Sequence, residues 1–188
     1  MPRKPDPTRK PELLGQIIDH LRSRSIATVS FRTLADALGV STYVFVYHFG
    51  NRAELIAEIV RAVVARQSDL FAVDPAGLDD AGFRQQMTAY WNAASDDRGR
   101  DLQRLEIEAA LLEVVAGEAG VARQAGARRR DFVAAWLVAQ GSAEQSAADA
   151  AQAFVAEVEG LLYDAVVAGD ASAATPVFEK RLDAFVAQ

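Results

Sequence analysis

The segment FRTLADALGVSTYVFVYHF, running from Phe31 to Phe49, decides how this chain folds. Ser30 is placed to cap a short helix that carries Leu34, Ala35 and Leu38 inward. Gly39 can take the left-handed backbone that ends it. Ser41 opens a second short helix in which Phe45 and Phe49, four residues apart, share one face. Two short helices around a glycine turn have helix-turn-helix spacing. That arrangement needs a small residue where the helices cross, here Ala35, and buried anchors, here Val40 and Phe45. An ordinary helical hairpin in a bundle has the same spacing, so spacing alone leaves both open.

Outward from this segment the pattern stays helical. The first ten residues are basic, hold three prolines and read as an arm. A first helix follows, with Pro11 in its first turn and Leu13, Leu14, Ile17, Ile18 and Leu21 on one face. Asn51 with Glu54 resembles a capping box opening a long fourth helix to about Phe71. Pro75 and Gly77 break it. We therefore expect a head over residues 1–52, a connecting helix over 53–74 and a body over 75–188.

In the body, one helix holds Phe83, Met87, Tyr90 and Trp91 and ends in polar Ser95–Arg100. The next carries Leu102, Leu105, Leu112 and Val115 up to Gly117. A third spans 118–140 with Phe132, Val133, Trp136 and Leu137 inward. Ser142 with Gln145 starts a long one through Val166, and Thr175-Pro176 opens the last. The expectation is an all-α chain of about nine helices and no strand.

Composition narrows the chemistry. Hydrophobic residues make up 51% of the 188, so the chain can bury a core. Cysteine is absent, and His20 and His48 share no helical face, so neither a metal site nor a cofactor is expected. No apolar run is long enough for a membrane span, and Met1–Pro5 lacks a signal-peptide core, which points to the cytoplasm. Glu106 and Glu108 could tempt an enzymatic reading. Residues two apart on a helix diverge by about 200°, so they cannot share one substrate atom. Both glutamates read as solvated or ligand-facing, and Arg128–Arg130 as a surface run.

The net charge of −6 is unevenly spread. Residues 1–52 carry eight Arg or Lys against four acids, a balance of +4 that leaves −10 for the rest. A basic head on an acidic body suits a protein that offers one end to phosphates.

Residues 13–60 resemble the DNA-binding domain of the TetR family. The resemblance lies in the amphipathic first helix, in Leu34-Ala35 and Leu38-Gly39-Val40-Ser41, in Tyr47-His48-Phe49, and in Gly50-Asn51-Arg52 with Glu54-Leu55. Glu159–Ala165 resembles the family's penultimate helix more weakly. The departure is Tyr43-Val44-Phe45-Val46, where the family usually has Gly, Thr, Leu and Tyr; Val44 and Val46 cannot make the phosphate contacts of that Thr and Tyr.

The resemblance implies an Ω-like homodimer that binds a double-stranded DNA operator and is released by a small-molecule inducer. Carried over by position, it puts Arg32, Thr42 and Tyr43 at base edges and Ser30, Tyr47, His48 and Arg52 on phosphates. Arg3, Lys4, Arg9 and Lys10 would lie in the minor groove or remain a solvated tail. It also implies pairing through the last two helices, to which Phe154, Val158, Leu161, Leu162, Phe178, Leu182 and Phe185 are assigned. Mid-helix Gly160 suggests close helix approach there. Candidates for an inducer pocket are Met87, Tyr90, Trp91, Leu105, Leu112, Phe132, Trp136 and Tyr163. A DNA-binding adaptor without an inducer has the same head; an enclosed cavity would separate the two.

Overall fold

A computed structural model describes residues 8–117 and 120–187, the side chains of 66–69 and 122 excepted. The described residues form nine α-helices and no strand: α1 (Arg9–Leu21), α2 (Phe31–Leu38), α3 (Thr42–Phe49), α4 (Arg52–Ser68), α5 (Asp80–Ser95), α6 (Asp97–Ala116), α7 (Val121–Ala139), α8 (Glu144–Ala168) and α9 (Thr175–Val186). Short 3-10 turns lie at Ile26–Thr28, Asp69–Phe71 and Pro75–Gly77. Among the described residues no helix is long and apolar enough to cross a membrane.

The caps explain most boundaries. Ser30 Oγ accepts from Thr33 N and Thr33 Oγ1 accepts from Ser30 N, each at 3.1 Å, so two donors at the start of α2 are satisfied reciprocally. Gly39 at φ +65° ends α2 in the left-handed region. Asn51 Oδ1 accepts from Glu54 N at 3.0 Å and starts α4. As expected, α5 ends in polar Ser95–Arg100, and the same stretch is the corner into α6, because Asp96 Oδ1 accepts from Gly99 N at 2.6 Å and caps a new helix at once. Gly99 permits this corner: a Cβ there would lie 2.2 Å from Ala93 O. Ser142 does not cap α8, which begins at Glu144 after Ala143.

Two apolar clusters hold the chain. The first joins Leu13, Ile17, Leu34, Phe45 and Phe49 of the head to Leu55 and Ile59 of α4 and Leu102 and Leu105 of α6. The head core therefore runs on past residue 52 onto α4 and α6. The second joins Phe83, Trp91, Phe132, Trp136, Phe154, Phe178 and Phe185. Trp91 stacks on Phe178 at 4.4 Å and donates to Thr175 Oγ1 at 3.1 Å. Trp136 stacks on Phe83 at 3.9 Å and donates to Leu78 O at 3.2 Å. Each indole has both a stacking partner and a hydrogen bond.

The side chains assigned to a dimer interface need correction. Phe154, Val158, Leu162, Phe178, Leu182 and Phe185 are each at most 6% exposed within one protomer, and Leu161 packs half-buried on the same cluster. Burying a side chain of this size stabilises by about 1.5–3 kcal/mol, so exposing them to a second copy would undo the core. Apolar periodicity marks which face is buried but not what covers it. Ala153, Ala156, Gly160, Tyr163 and Val167 lie exposed along α8, and Val177 of α9 is exposed as well. Apart from its own stretch of α8, no atom of the described residues lies within 4 Å of a Cβ built on Gly160, so no other described helix of the protomer approaches it there.

Candidate nucleic-acid interface

The head is built so that one surface stays open. Phe45 is fully buried, 5.9 Å from the Phe31 ring and 6.4 Å from Phe49, which fixes α3 across α2. With Phe45 and Phe49 inward, Thr42, Tyr43, Val46 and Tyr47 point outward. Tyr43 is 71% and Tyr47 57% exposed, and their rings stack at 6.4 Å. His48 is half-buried and meets the Tyr47 ring edge-on at 4.9 Å. Ser41 gives α3 no side-chain cap, so the first-turn N–H groups of Thr42 and Tyr43 are left for an outside acceptor.

The head cations divide into committed and free. Lys10 Nζ bonds Glu58 on α4 at 3.1 Å and lies 5.6 Å above the Phe49 ring. Burial pushes the Glu58 carboxyl upward, but bonds from Lys10 and Arg61 outweigh it and hold the pKa below its usual value. Arg9 pairs with Glu12, and Arg22 with Asp101 at 2.8 Å. Arg52, expected on phosphate, donates from Nε to Val29 O at 2.7 Å and from Nη2 to Ala27 O at 2.9 Å. It ties the start of α4 to the turn before α2. Arg32 is exposed on α2 and makes no hydrogen bond or ion pair with the described residues. Ser30 spends its hydroxyl on the α2 cap. Arg3 and Lys4 lie outside the described residues.

Helix α6 connects this head to the body through polar contacts the sequence did not suggest. Arg104 donates to Leu21 O at 2.6 Å and Arg22 O at 3.1 Å, capping the end of α1, and pairs with Glu108. Glu108 accepts from Ser25 Oγ at 2.8 Å and Ile26 N at 2.7 Å, so it is neither solvated nor ligand-facing. Glu106, on another face of α6, is buried and paired with Arg129 of α7 at 2.9 Å. Arg129 also bonds Glu159 of α8 at 3.0 Å, so the expected surface run has its middle member inside. Burial opposes the Arg129 charge, but Tyr90, Glu106 and Glu159 around it raise its pKa further. Burial pushes the Tyr90 hydroxyl up to about 12.

The inducer-pocket candidates are scattered. Leu105 is buried in the first cluster with Leu112 packed against it, and Trp91 and Trp136 are stacked in the second. Met87 and Tyr90 border a void of only about 10 Å³. Phe132 borders a crevice of about 280 Å³, and Tyr163 stands at an open cleft of about 730 Å³ between α6, α7 and α8. The cleft residues Gln103, Ile107 and Ala110 were missed, because nothing in a helical repeat marks which groove is left unfilled.

This arrangement of helices has solved counterparts. A TetR transcriptional regulator of Legionella pneumophila superposes with a TM-score of 0.69 at 16% identity, over 97% of this chain and 98% of that one. The fold is that of the TetR-type regulators. A TetR-like regulator from Rhodococcus sp. RHA1 gives a TM-score of 0.67 at 18% identity, over 96% of each chain. TetR-Q116A of Acinetobacter baumannii AYE, solved in complex with minocycline, gives 0.60 at 20% identity, over 98% of this chain and 96% of that one. No protein-family model and no curated protein matches the sequence. In this TetR-type fold, α1–α3 are the head, α4 and α6 join it to the body, and α8 and α9 carry the exposed residues described above.

Proposed function

We propose that the chain is a DNA-binding transcriptional regulator, acting as a homodimeric repressor that a small molecule releases. The observation that carries this is the open face of α2 and α3. Arg32, Thr42, Tyr43 and Tyr47 all point to solvent there, and Arg32 has no partner among the described residues. An unpaired guanidinium beside uncapped helix N–H groups favours a phosphate-bearing partner. In the complex Arg32 reaches a base edge, Thr42 and Tyr43 lie at the start of the recognition helix, and Tyr47 and His48 line the backbone. Two copies join through the small-residue face of α8 beside α9, where Ala156 and Gly160 let helices approach closely.

Release follows from the two sides of α6. One side holds the α1 end and the following turn through Arg104, Glu108 and Asp101; another lines the cleft with Gln103, Glu106 and Ile107. A ligand that moves α6 moves the head, and linkage requires that DNA weaken ligand binding by the same factor. The adaptor reading keeps one supporting observation: both indoles are satisfied and the void beside Tyr90 is tiny, so the body core is nearly solid.

Arg32→Ala and Arg52→Ala test the roles. Loss of Arg32 should cost about 1–3 kcal/mol of binding and relax preference at one base pair. Loss of Arg52 frees the 27–29 turn and should weaken all sequences alike. Binding to an operator and its single-base variants at several salt concentrations reads both. Altered base preference in Arg52→Ala but not in Arg32→Ala would reverse the assignment.

A further inference from the structure

The outward face of α3 carries four exposed side chains, Thr42, Tyr43, Val46 and Tyr47. None of them is an acid, a base or an amide. His48 is half-buried and turned against the Tyr47 ring. Val46 is 48% exposed, although its side chain has only carbon atoms to offer. It lies one turn after Thr42 and three residues after Tyr43, so the three share one stripe of the helix. The head does not use Val46 as core. Phe45 and Phe49 supply the buried contacts of α3, and Val44 packs partly on the same cluster.

The code of base edges in the major groove restricts what such a stripe can read. Guanine is gripped by Arg or Lys, adenine by Asn or Gln, and cytosine by Glu or Asp. Helix α3 has none of these, and Arg32 stands on α2. The thymine C5-methyl is the apolar group that a base pair shows in this groove. A valine pressed against any other base edge strips water from a donor or acceptor and returns no hydrogen bond. A balance of +4 over residues 1–52, against −10 in the rest, and the unpaired Arg32 favour a phosphate-bearing duplex as the occupant of this face.

We propose that Val46 reads thymine: its methyl groups meet the C5-methyl of one thymine in each half of the DNA site, with Thr42 and Tyr43 beside the contact. The inference rests on the regulator reading above and names a base which that reading leaves open. Val46 then selects by apolar contact, while Arg32 selects by hydrogen bonding at another pair.

The test takes the inverted repeat that the full chain enriches from a random pool and replaces its thymines by uracil, one symmetric pair at a time. Uracil keeps every hydrogen-bonding group of thymine and lacks only the methyl. Burial of one methyl corresponds to about fourfold in affinity, so one symmetric pair of replacements should weaken binding about fifteenfold. Cytosine at the same pair should bind at least as weakly as uracil. There 5-methylcytosine, which returns the methyl, should bind about fifteenfold tighter than cytosine. In Val46→Ala the uracil penalty at that pair should fall below about fourfold, with the melting temperature unchanged because the site is half-exposed. The base replacements leave the protein untouched, so they read the contact even if the variant melts early. Half-sites that enrich no thymine, uracil tolerated at every pair, or a penalty that Val46→Ala leaves in full would each overturn the inference while the regulator reading stands. A chain that enriches no duplex overturns both and leaves this face to a protein partner.

Discussion

Phe45→Ala is expected to cost about 3–5 kcal/mol of stability, the usual range for emptying a buried phenylalanine site, and to abolish duplex binding. Phe45 and Phe49 are the two buried side chains of α3, and Phe45 also stacks on Phe31 of α2. An eight-residue helix has no stability of its own in water, so α3 depends on that packing for its angle across α2. Total stabilities of about 5–15 kcal/mol make such a loss a large share. Urea unfolding followed by circular dichroism measures it. A loss under about 1 kcal/mol, with binding retained, would show that α3 is held in some other way.

A loss of similar size is expected at the buried ion pair between α6 and α7. Arg129→Met removes the cation that sits between Glu106 and Glu159 and leaves Glu106 buried without a partner charge. Removing one member of a buried pair typically costs about 3–5 kcal/mol. Replacing both members with apolar residues is far cheaper, because no charge is then stranded. The double variant Arg129→Met with Glu106→Leu should therefore recover most of the loss, and a thermodynamic cycle over the four proteins reads the coupling. A single variant as stable as the parent would mean that the buried triad contributes nothing.

The head was legible in sequence because its signals are local. The Ser30 cap, the Gly39 stop and the Phe45–Phe49 pair each act within a few residues, and the structure has all three. The contacts of α6 were not legible, since Arg104 meets Leu21 and Glu108 meets Ser25 across about eighty residues of chain. A charged residue on a helix reads as solvated when its partner is that far away. Arg129 looked like surface for the same reason, flanked as it is by Arg128 and Arg130. The same limit applies to Phe154 and Phe178, whose apolar character signalled burial correctly and its partner wrongly. Arg52 matched a family position, yet its geometry commits it to Val29 and Ala27.

Selection of duplexes from a random pool by the purified full chain tests the regulator reading most directly. A two-fold dimer presents two copies of α3, so the enriched DNA should be an inverted repeat. Its half-site centres should lie about one helical turn, roughly 10 bp, or a multiple of that apart. Two subunits should protect each site, and Arg32→Ala should lose the enrichment at one base pair of each half. Enrichment of a single asymmetric half-site bound by one subunit, or no enrichment of any sequence, would contradict the reading.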